Sequence, residues 1–217
     1  MRRSYPVRFV LLVAGTALTA LGVVLMLQAN IGLEPWSVFH QGLERTTGIS
    51  FGMASSLTGF IAIAAAALLG ESFGVGTVIN IILCGVLIDG INASGLIPQM
   101  QSMLPGVLLL FLGMEVLVLG TWLYMASELG AGPRDALTVA LARRLGRTVG
   151  PCRVVMDCTV TVLGFFMGGK VGVGTVLAAV LLGFLMDATF RLVRFRPTAL
   201  RQETAAETVR VLLRSRT

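Results

Sequence analysis

Charged side chains are scarce in this chain of 217 residues, of which only 13% are Asp, Glu, Lys or Arg. A typical soluble domain carries about 25% charged residues. Apolar residues make up 55% of the chain instead. A soluble globular fold is therefore excluded, because the polar residues are too few to cover its surface. The composition predicts a protein embedded in a lipid bilayer.

Histidine and cysteine are also scarce, with one and three copies respectively. The single histidine, His40, makes no metal site and is expected on an exposed turn, in a solvated or a packing role. Cys84, Cys152 and Cys158 lie in or beside apolar runs, without metal-ligand spacing or a disulfide framework. No Ser/His/Asp set or zinc-binding spacing can be assembled. We therefore expect no metal, no cofactor and no enzymatic activity.

Positive charge is concentrated at the two ends of the chain, which has a net charge of +6. Arg2, Arg3 and Arg8 precede the first apolar run, and a series of arginines follows the last one. No basic face interleaved with aromatics is present, so nucleic-acid binding is not expected. The positive-inside rule explains the charge better. It predicts a multi-pass protein of the bacterial cytoplasmic (inner) membrane with both termini in the cytoplasm.

Long apolar runs occur six times, and each approaches the roughly 20 residues that span the hydrocarbon core once its flanks are included. Six transmembrane helices are therefore predicted in an all-α membrane protein. The runs are Phe9–Leu27, Ala54–Leu69, Val75–Leu87, Val107–Met125, Val154–Met167 and Val173–Met186.

The chain repeats itself without gaps at an offset of 98 residues, the distance from Gly32 to Gly130. The repeat predicts two three-span units, residues 1–98 and 99–196, followed by a basic tail, 197–217. The tail is either an amphipathic cytoplasmic helix on the membrane surface or a frayed charged end. The same offset relates Gly15 to Gly113, Gly22 to Gly120, Gly48 to Gly146, Gly52 to Gly150, Gly70 to Gly168, the segment 74–78 to 172–176, and Asp89 to Asp187.

An odd number of spans in each unit requires the two units to sit upside down relative to each other. This arrangement is an inverted-topology repeat, which many secondary transporters share. The distribution of positive charge agrees with this arrangement. Arg45 is the only Lys or Arg in the segment between the first two spans, whereas the equivalent segment of the second unit carries four arginines. Those four are Arg134, Arg143, Arg144 and Arg147.

A short helix is predicted in each unit, at 35–47 and 133–145, because Pro35 and Pro133 suit a first helical position. Each helix is about 18 Å long and too short to span. It either dips into the membrane as a re-entrant helix or lies flat at the interface. Ser37 and Asp135 are expected to cap these helices. The structural motif residues are Gly32, Pro35, Gly74, Gly76, Gly130, Gly132, Pro133, Asp135, Gly172 and Gly174.

Acidic side chains within the predicted spans are the best candidates for a functional site, because a charge in lipid costs at least about 2.5 kcal/mol. They handle protons or cations around a polar cavity, or they are protonated and bond neighbouring helices. Asp89 and Asp187 are the repeat-matched pair and the favoured candidates. Glu115 and Asp157 have no acidic counterpart, and Asp157 could pair with Arg153 one turn away.

Trp36 and Arg134 occupy equivalent repeat positions directly after the prolines. Each is either a substrate contact, Arg134 for an anion and Trp36 for an apolar or cationic group, or an ordinary membrane anchor and an inside-positive charge. Asn80, in the third span, completes the candidate binding residues.

Three segments of the second unit carry a family resemblance: Gly130–Asp135, Leu141–Gly146 and Gly168–Thr175. They resemble the YczE-like bacterial membrane proteins, often grouped with YitT-type proteins. The first unit departs from the pattern, with Glu34 in place of a glycine and Ser37 in place of an aspartate. The resemblance implies a bacterial membrane protein and leaves the substrate open.

These observations predict a small secondary transporter or channel-like carrier for a small solute, with proton or cation coupling. Its site would lie between the starts of the two short helices. The alternatives are a non-transporting accessory protein that stabilises or activates a membrane partner, and a substrate-binding subunit of a larger importer. The lipid bilayer is the expected environment, and a homodimer is compatible with so small a bundle.

Overall fold

The computed structural model describes residues 4–195, 202–205 and 207. Within these residues the chain forms helices and no strands, which confirms the predicted all-α class. The helices are α1 (Tyr5–Ala29), α2 (Pro35–Thr47), α3 (Phe51–Leu68), α4 (Val75–Ala93), α5 (Met103–Met125), α6 (Pro133–Leu145), α7 (Val149–Phe166) and α8 (Val173–Leu192). Most of the predicted tail, 197–217, lies outside the described residues.

Six of these helices are long and apolar enough to cross a membrane, as predicted: α1, α3, α4, α5, α7 and α8. A helix satisfies its own backbone hydrogen bonds, which the hydrocarbon cannot do for it. The remaining two, α2 and α6, have 13 residues each and are too short to span. Each begins at a proline and ends at a glycine with positive φ, Gly48 at 76° and Gly146 at 60°.

The centre of the bundle is an antiparallel pair, α1 and α5. Gly15 lies against the Gly120 carbonyl, and Gly22 lies against the Gly113 carbonyl. Later residues of α1 therefore meet earlier residues of α5, and the two helices run in opposite directions. Any side chain at these positions would collide with the backbone of the partner helix. Glycine, which has no side chain, therefore allows the two helices to approach closely.

The other helices are arranged around this pair. α4 packs on α1 and α8 on α5, while α2 lies along α7 and α6 lies along α3. Two glycine-rich turns join the elements: the Gly76 N–H donates to the Leu129 carbonyl at 2.9 Å, and the Gly174 N–H donates to the Ile31 carbonyl at 2.8 Å. These turns are therefore close-packed helix starts.

A short segment after α8 docks onto the start of the bundle. Glu203, 2% exposed, pairs with Arg8 at 2.8 Å and accepts a hydrogen bond from the Tyr5 hydroxyl at 2.7 Å. Arg8 also donates to the Ser127 carbonyl at 2.7 Å. Residues 202–205 therefore tie the start of α1 to the end of α5 and do not lie free on the membrane surface.

Candidate functional site

The starts of the two short helices meet inside the bundle. Arg134, the second residue of α6, donates to the Glu34 carboxylate before α2 at 3.0 Å. Its guanidinium also lies over the Trp36 ring, 5.0 Å from the centroid. Trp36 in turn donates its indole N–H to Asp157 on α7 at 2.9 Å. One connected polar network thus links both short helices to a spanning helix.

Glu34 is the cap of α2, and the expected caps are wrong. Its carboxylate accepts the Trp36 N–H at 3.3 Å and the Ser37 hydroxyl at 3.0 Å, so Ser37 donates to the cap and is not the cap itself. α6 begins after Gly132 and has no side-chain cap. Asp135 lies in the first turn of α6, where it pairs with Arg153 of α7 at 3.3 Å. Its charge still suits the positive end of the helix.

A cavity of about 640 Å³ lies beside this network. All eight helices contribute to its wall, and the wall combines apolar side chains with a few polar groups, which is typical of small-molecule sites. One polar or charged residue from each helix is Thr19, Trp36, Thr58, Asn80, Thr121, Arg134, Asp157 and Asp187.

Five of the seven predicted binding residues line this cavity. They are Trp36, Asn80, Arg134, Asp157 and Asp187. The cavity thus brings together side chains from both halves of the chain. Within the described residues Asp187 forms no hydrogen bond or ion pair, whereas Arg153 approaches Asp157 to 3.9 Å.

The other two predicted residues lie elsewhere. Glu115 of α5 accepts a hydrogen bond from the Thr189 hydroxyl of α8 at 2.9 Å, outside the cavity wall. Asp89 of α4 accepts the Ser50 hydroxyl at 2.5 Å and the Gly52 N–H at 2.7 Å. Both carboxyls therefore join neighbouring helices, which is the second role that the sequence left open for them.

His40 and Glu34 line the cavity but were not among the predicted binding residues. His40 is 2% exposed and packs edge-on against Phe51, so the expectation of an exposed turn is wrong. Its spacing of four from Trp36 places both on one face of α2, and that was the available signal. Glu34 differs from the glycine of the family pattern, and its partner Arg134 is 100 residues away. The predicted meeting of the two short-helix starts was the available signal for this pair.

The charges on the wall are unbalanced. Four carboxylates, Glu34, Asp135, Asp157 and Asp187, face two guanidinium groups, Arg134 and Arg153. Among the residues that the structure describes, no three His, Cys, Asp or Glu side chains are close enough together to hold a metal ion. The wall therefore suits a small polar or cationic solute in contact with an aromatic ring better than a coordinated metal.

Comparisons with known proteins agree with the membrane architecture. The chain is 29% identical to the uncharacterized membrane protein YczE of Bacillus subtilis over 188 residues, which is 86% of each chain. It is 32% identical to an uncharacterized protein of Haemophilus influenzae over 173 residues, 79% of this chain and 78% of the relative. No solved structure matches the chain.

The family model described as "Family of unknown function (DUF6198)" matches residues 6–191, which include every helix of the bundle apart from the ends of the first and last. The resemblance to YczE-like proteins is thereby confirmed over nearly the whole chain. This chain belongs to the DUF6198 family of YczE-like membrane proteins.

Proposed function

We propose that this protein is a small secondary transporter or channel-like carrier, whose site is the cavity where the starts of α2 and α6 meet. The cavity carries the proposal, because it is large enough for a small solute and is built by all eight helices. The excess of carboxylates on its wall favours a cationic solute. The carrier consists of two inverted-topology repeats in the cytoplasmic membrane, with both termini on the inner side.

The contacts between α1 and α5 support the inverted arrangement. The contact of Gly15 with Gly120 becomes the contact of Gly113 with Gly22 when both are moved by the repeat offset. The antiparallel pair is therefore mapped onto itself by exchange of the two units. A two-fold axis in the membrane plane produces this relation between units with an odd number of spans.

The register of α2 along α7 supports a re-entrant short helix. Trp36 bonds to Asp157, which lies midway along α7, and Arg45 donates to the Gly168 carbonyl just beyond the end of α7. α2 thus begins at mid-depth and rises to one face. The repeat places α6 in the opposite sense, so that two positive helix ends point at the same cavity, the arrangement found in carriers with broken helices.

The proposal is tested with purified protein in liposomes on a solid-supported membrane. The perfused probes are protons, sodium, guanidinium, tetramethylammonium and phosphate. We expect a current with at least one cationic probe and none with phosphate. Arg134→Gln should abolish it, because Glu34 then lacks its partner in the wall. The control is Arg144→Gln, on the exposed side of the same helix, which should leave the current unchanged.

The repeat-matched carboxyls provide a second measurement in the same assay. Asp89→Asn and Asp187→Asn are expected to lower the flux, and unchanged flux in both variants rules out their coupling role. If folded wild-type protein gives neither a current nor a thermal shift with any probe, the carrier proposal fails. That outcome favours the accessory-protein or importer-subunit alternative, for which a co-purifying partner is the evidence to seek.

A further inference from the structure

The contact between α3 and α4 is unusually close. Any side chain at Gly52 would collide with the Gly85 carbonyl, and one at Gly85 would collide with Ser56. Asp89 completes the contact by accepting the Ser50 hydroxyl at 2.5 Å and the Gly52 N–H at 2.7 Å. We call these four residues, Ser50, Gly52, Gly85 and Asp89, the first latch.

The second unit has the same residue at three of the four equivalent positions, and at the fourth Thr148 replaces serine with another hydroxyl. Moving the first latch by the repeat offset gives Thr148, Gly150, Gly183 and Asp187, which we call the second latch. The two glycines and the aspartate are thus present on α7 and α8 at the spacing that closes α3 on α4.

The second latch is open in this structure. A methyl group added at Gly150 or Gly183 would meet nothing within 4 Å. The Thr148 hydroxyl caps nothing, and Asp187 lines the cavity. Within the described residues, α7 does not pack along α8, whereas α3 packs along α4. The cavity therefore opens between α7 and α8.

The open arrangement gives Gly150, Gly183 and Asp187 no contact that would require these residue types. Glycine within a helix costs about 1 kcal/mol relative to alanine unless packing or backbone conformation requires it. Neither Gly150 nor Gly183 has a positive φ, and neither touches another helix here. An aspartate within a spanning helix is costly as well. The first latch provides a use for all of them.

We propose that the second latch closes in another conformation of the protein. In that conformation α7 and α8 cross at Gly150 and Gly183, and Asp187 accepts hydrogen bonds from the Thr148 hydroxyl and the Gly150 N–H. Closure seals the side of the cavity that is open here. If the proposed carrier function holds, the first latch opens in exchange, and the cavity faces the other side of the membrane.

Cross-linking tests this closure without any solute. Ser56 and Ile81 meet across the first latch, where the Ser56 hydroxyl donates to the Ile81 carbonyl at 2.9 Å. Their repeat equivalents are Val154 and Ala179. Cysteines are introduced at one pair at a time after the natural cysteines are replaced by alanine. The protein, in lipid nanodiscs, is treated with the shortest bifunctional methanethiosulfonate reagent, which accumulates even a rarely visited closed state.

The Ser56→Cys/Ile81→Cys pair is expected to cross-link at once, and the Val154→Cys/Ala179→Cys pair to cross-link more slowly but to completion. Adding Gly150→Leu or Gly183→Leu should slow the second reaction at least about tenfold, because the leucine blocks the crossing. Both variants are expected to fold, since a Cβ added at either glycine meets nothing within 4 Å, and circular dichroism of each variant checks this. Asp187→Asn should slow it by about tenfold through loss of the charged acceptor.

Three results would overturn the inference: no cross-link at the second pair when the first reacts fully, a cross-link that the leucine and asparagine variants leave unchanged, or a cross-link formed only between two chains. The last result would mean that the two glycines pack against a second copy of the protein. The cross-linking reaction needs no transported solute, so it tests the closure separately from the carrier function. If the second pair cross-links as expected but no probe is transported, the carrier function is rejected and the closure still stands.

Discussion

The helix pairs α3–α4 and α7–α8 carry matching residues and adopt different arrangements. In the first pair, Gly52 and Gly85 bring the backbones together, and Asp89 bonds to the neighbouring helix start. In the second pair, Gly150 and Gly183 face open space. A shared residue pattern thus produces a closed contact in one half of the bundle and an opening to the cavity in the other.

The residue pattern for this contact is present in both halves, and in this structure only the first half forms it. The two glycine-rich turns, in contrast to the latches, have the same contact in both halves. The Gly76 N–H donates to the Leu129 carbonyl, and the equivalent Gly174 N–H donates to the Ile31 carbonyl. The glycine-rich turns therefore do not share the asymmetry of the latches, although α8 also packs less extensively on α5 than α4 packs on α1. Local asymmetry between matching units is what a two-state element would have in either of its states.

The largest predicted effect is a difference in stability between alanine substitutions at the glycines of the two latches. Gly52→Ala is expected to destabilise the protein by about 3 kcal/mol, because the new methyl group collides with the Gly85 carbonyl. Gly150→Ala is expected to stabilise it by up to about 1 kcal/mol through helix propensity, since the methyl group meets nothing. Unfolding in mixed detergent micelles, followed by circular dichroism, measures both.

A control for this pair comes from the turns, where the halves are alike. Gly74→Ala and Gly172→Ala both place a methyl group against a backbone carbonyl, of Leu129 and Ile31 respectively, and should destabilise by similar amounts. Equal losses at Gly52 and Gly150 would contradict the comparison, since they would mean that both latches are closed in the membrane.

The two aspartates give a smaller effect of the same kind. Asp89→Asn should cost about 1.5–3 kcal/mol, because the carboxylate accepts two hydrogen bonds that an amide oxygen accepts more weakly. Asp187→Asn should change the stability by less than about 0.5 kcal/mol, because Asp187 lies exposed on the cavity wall. Thermal unfolding of matched preparations measures the difference, and a larger loss at Asp187 would reject the open assignment.

Much of the fold could be predicted from the sequence, because its signals are local. Apolar runs, prolines at helix starts and glycines at helix ends identified all eight helices, with ends at most six residues from those of the predicted segments. The starts of α2 and α6 at Pro35 and Pro133 agree with the prediction. Each of these features depends only on residues within one or two helical turns, so it can be recognised in a single sequence.

The candidate site was less accessible, because its geometry depends on distant partners. Asp135 was expected to cap α6, yet its side chain turns to Arg153 of α7. The ion pair of Glu34 with Arg134 joins residues from different units. The repeat identified Asp89 and Asp187 as equivalent, and for that reason it could not reveal their different surroundings. Equivalent sequence positions carry no record of which conformation a protein adopts.

The smallest predicted effect concerns what holds α7 away from α8. Trp36 donates its indole N–H to Asp157, and this bond ties α7 to the short helix α2. Trp36→Phe keeps an aromatic ring but removes the donor, at a cost of about 1 kcal/mol. If the bond restrains α7 in the open position, the Val154→Cys/Ala179→Cys pair should then cross-link about fivefold faster.

Trp122→Phe is the matched control, since Trp122 lies on α5 and is absent from the cavity wall. It should leave the cross-linking rate unchanged. A slower reaction in Trp36→Phe would mean that α2 and α7 move together toward α8 and that the indole bond transmits the motion. The sign of this one rate change therefore decides whether the short helix restrains the second latch or carries it toward closure.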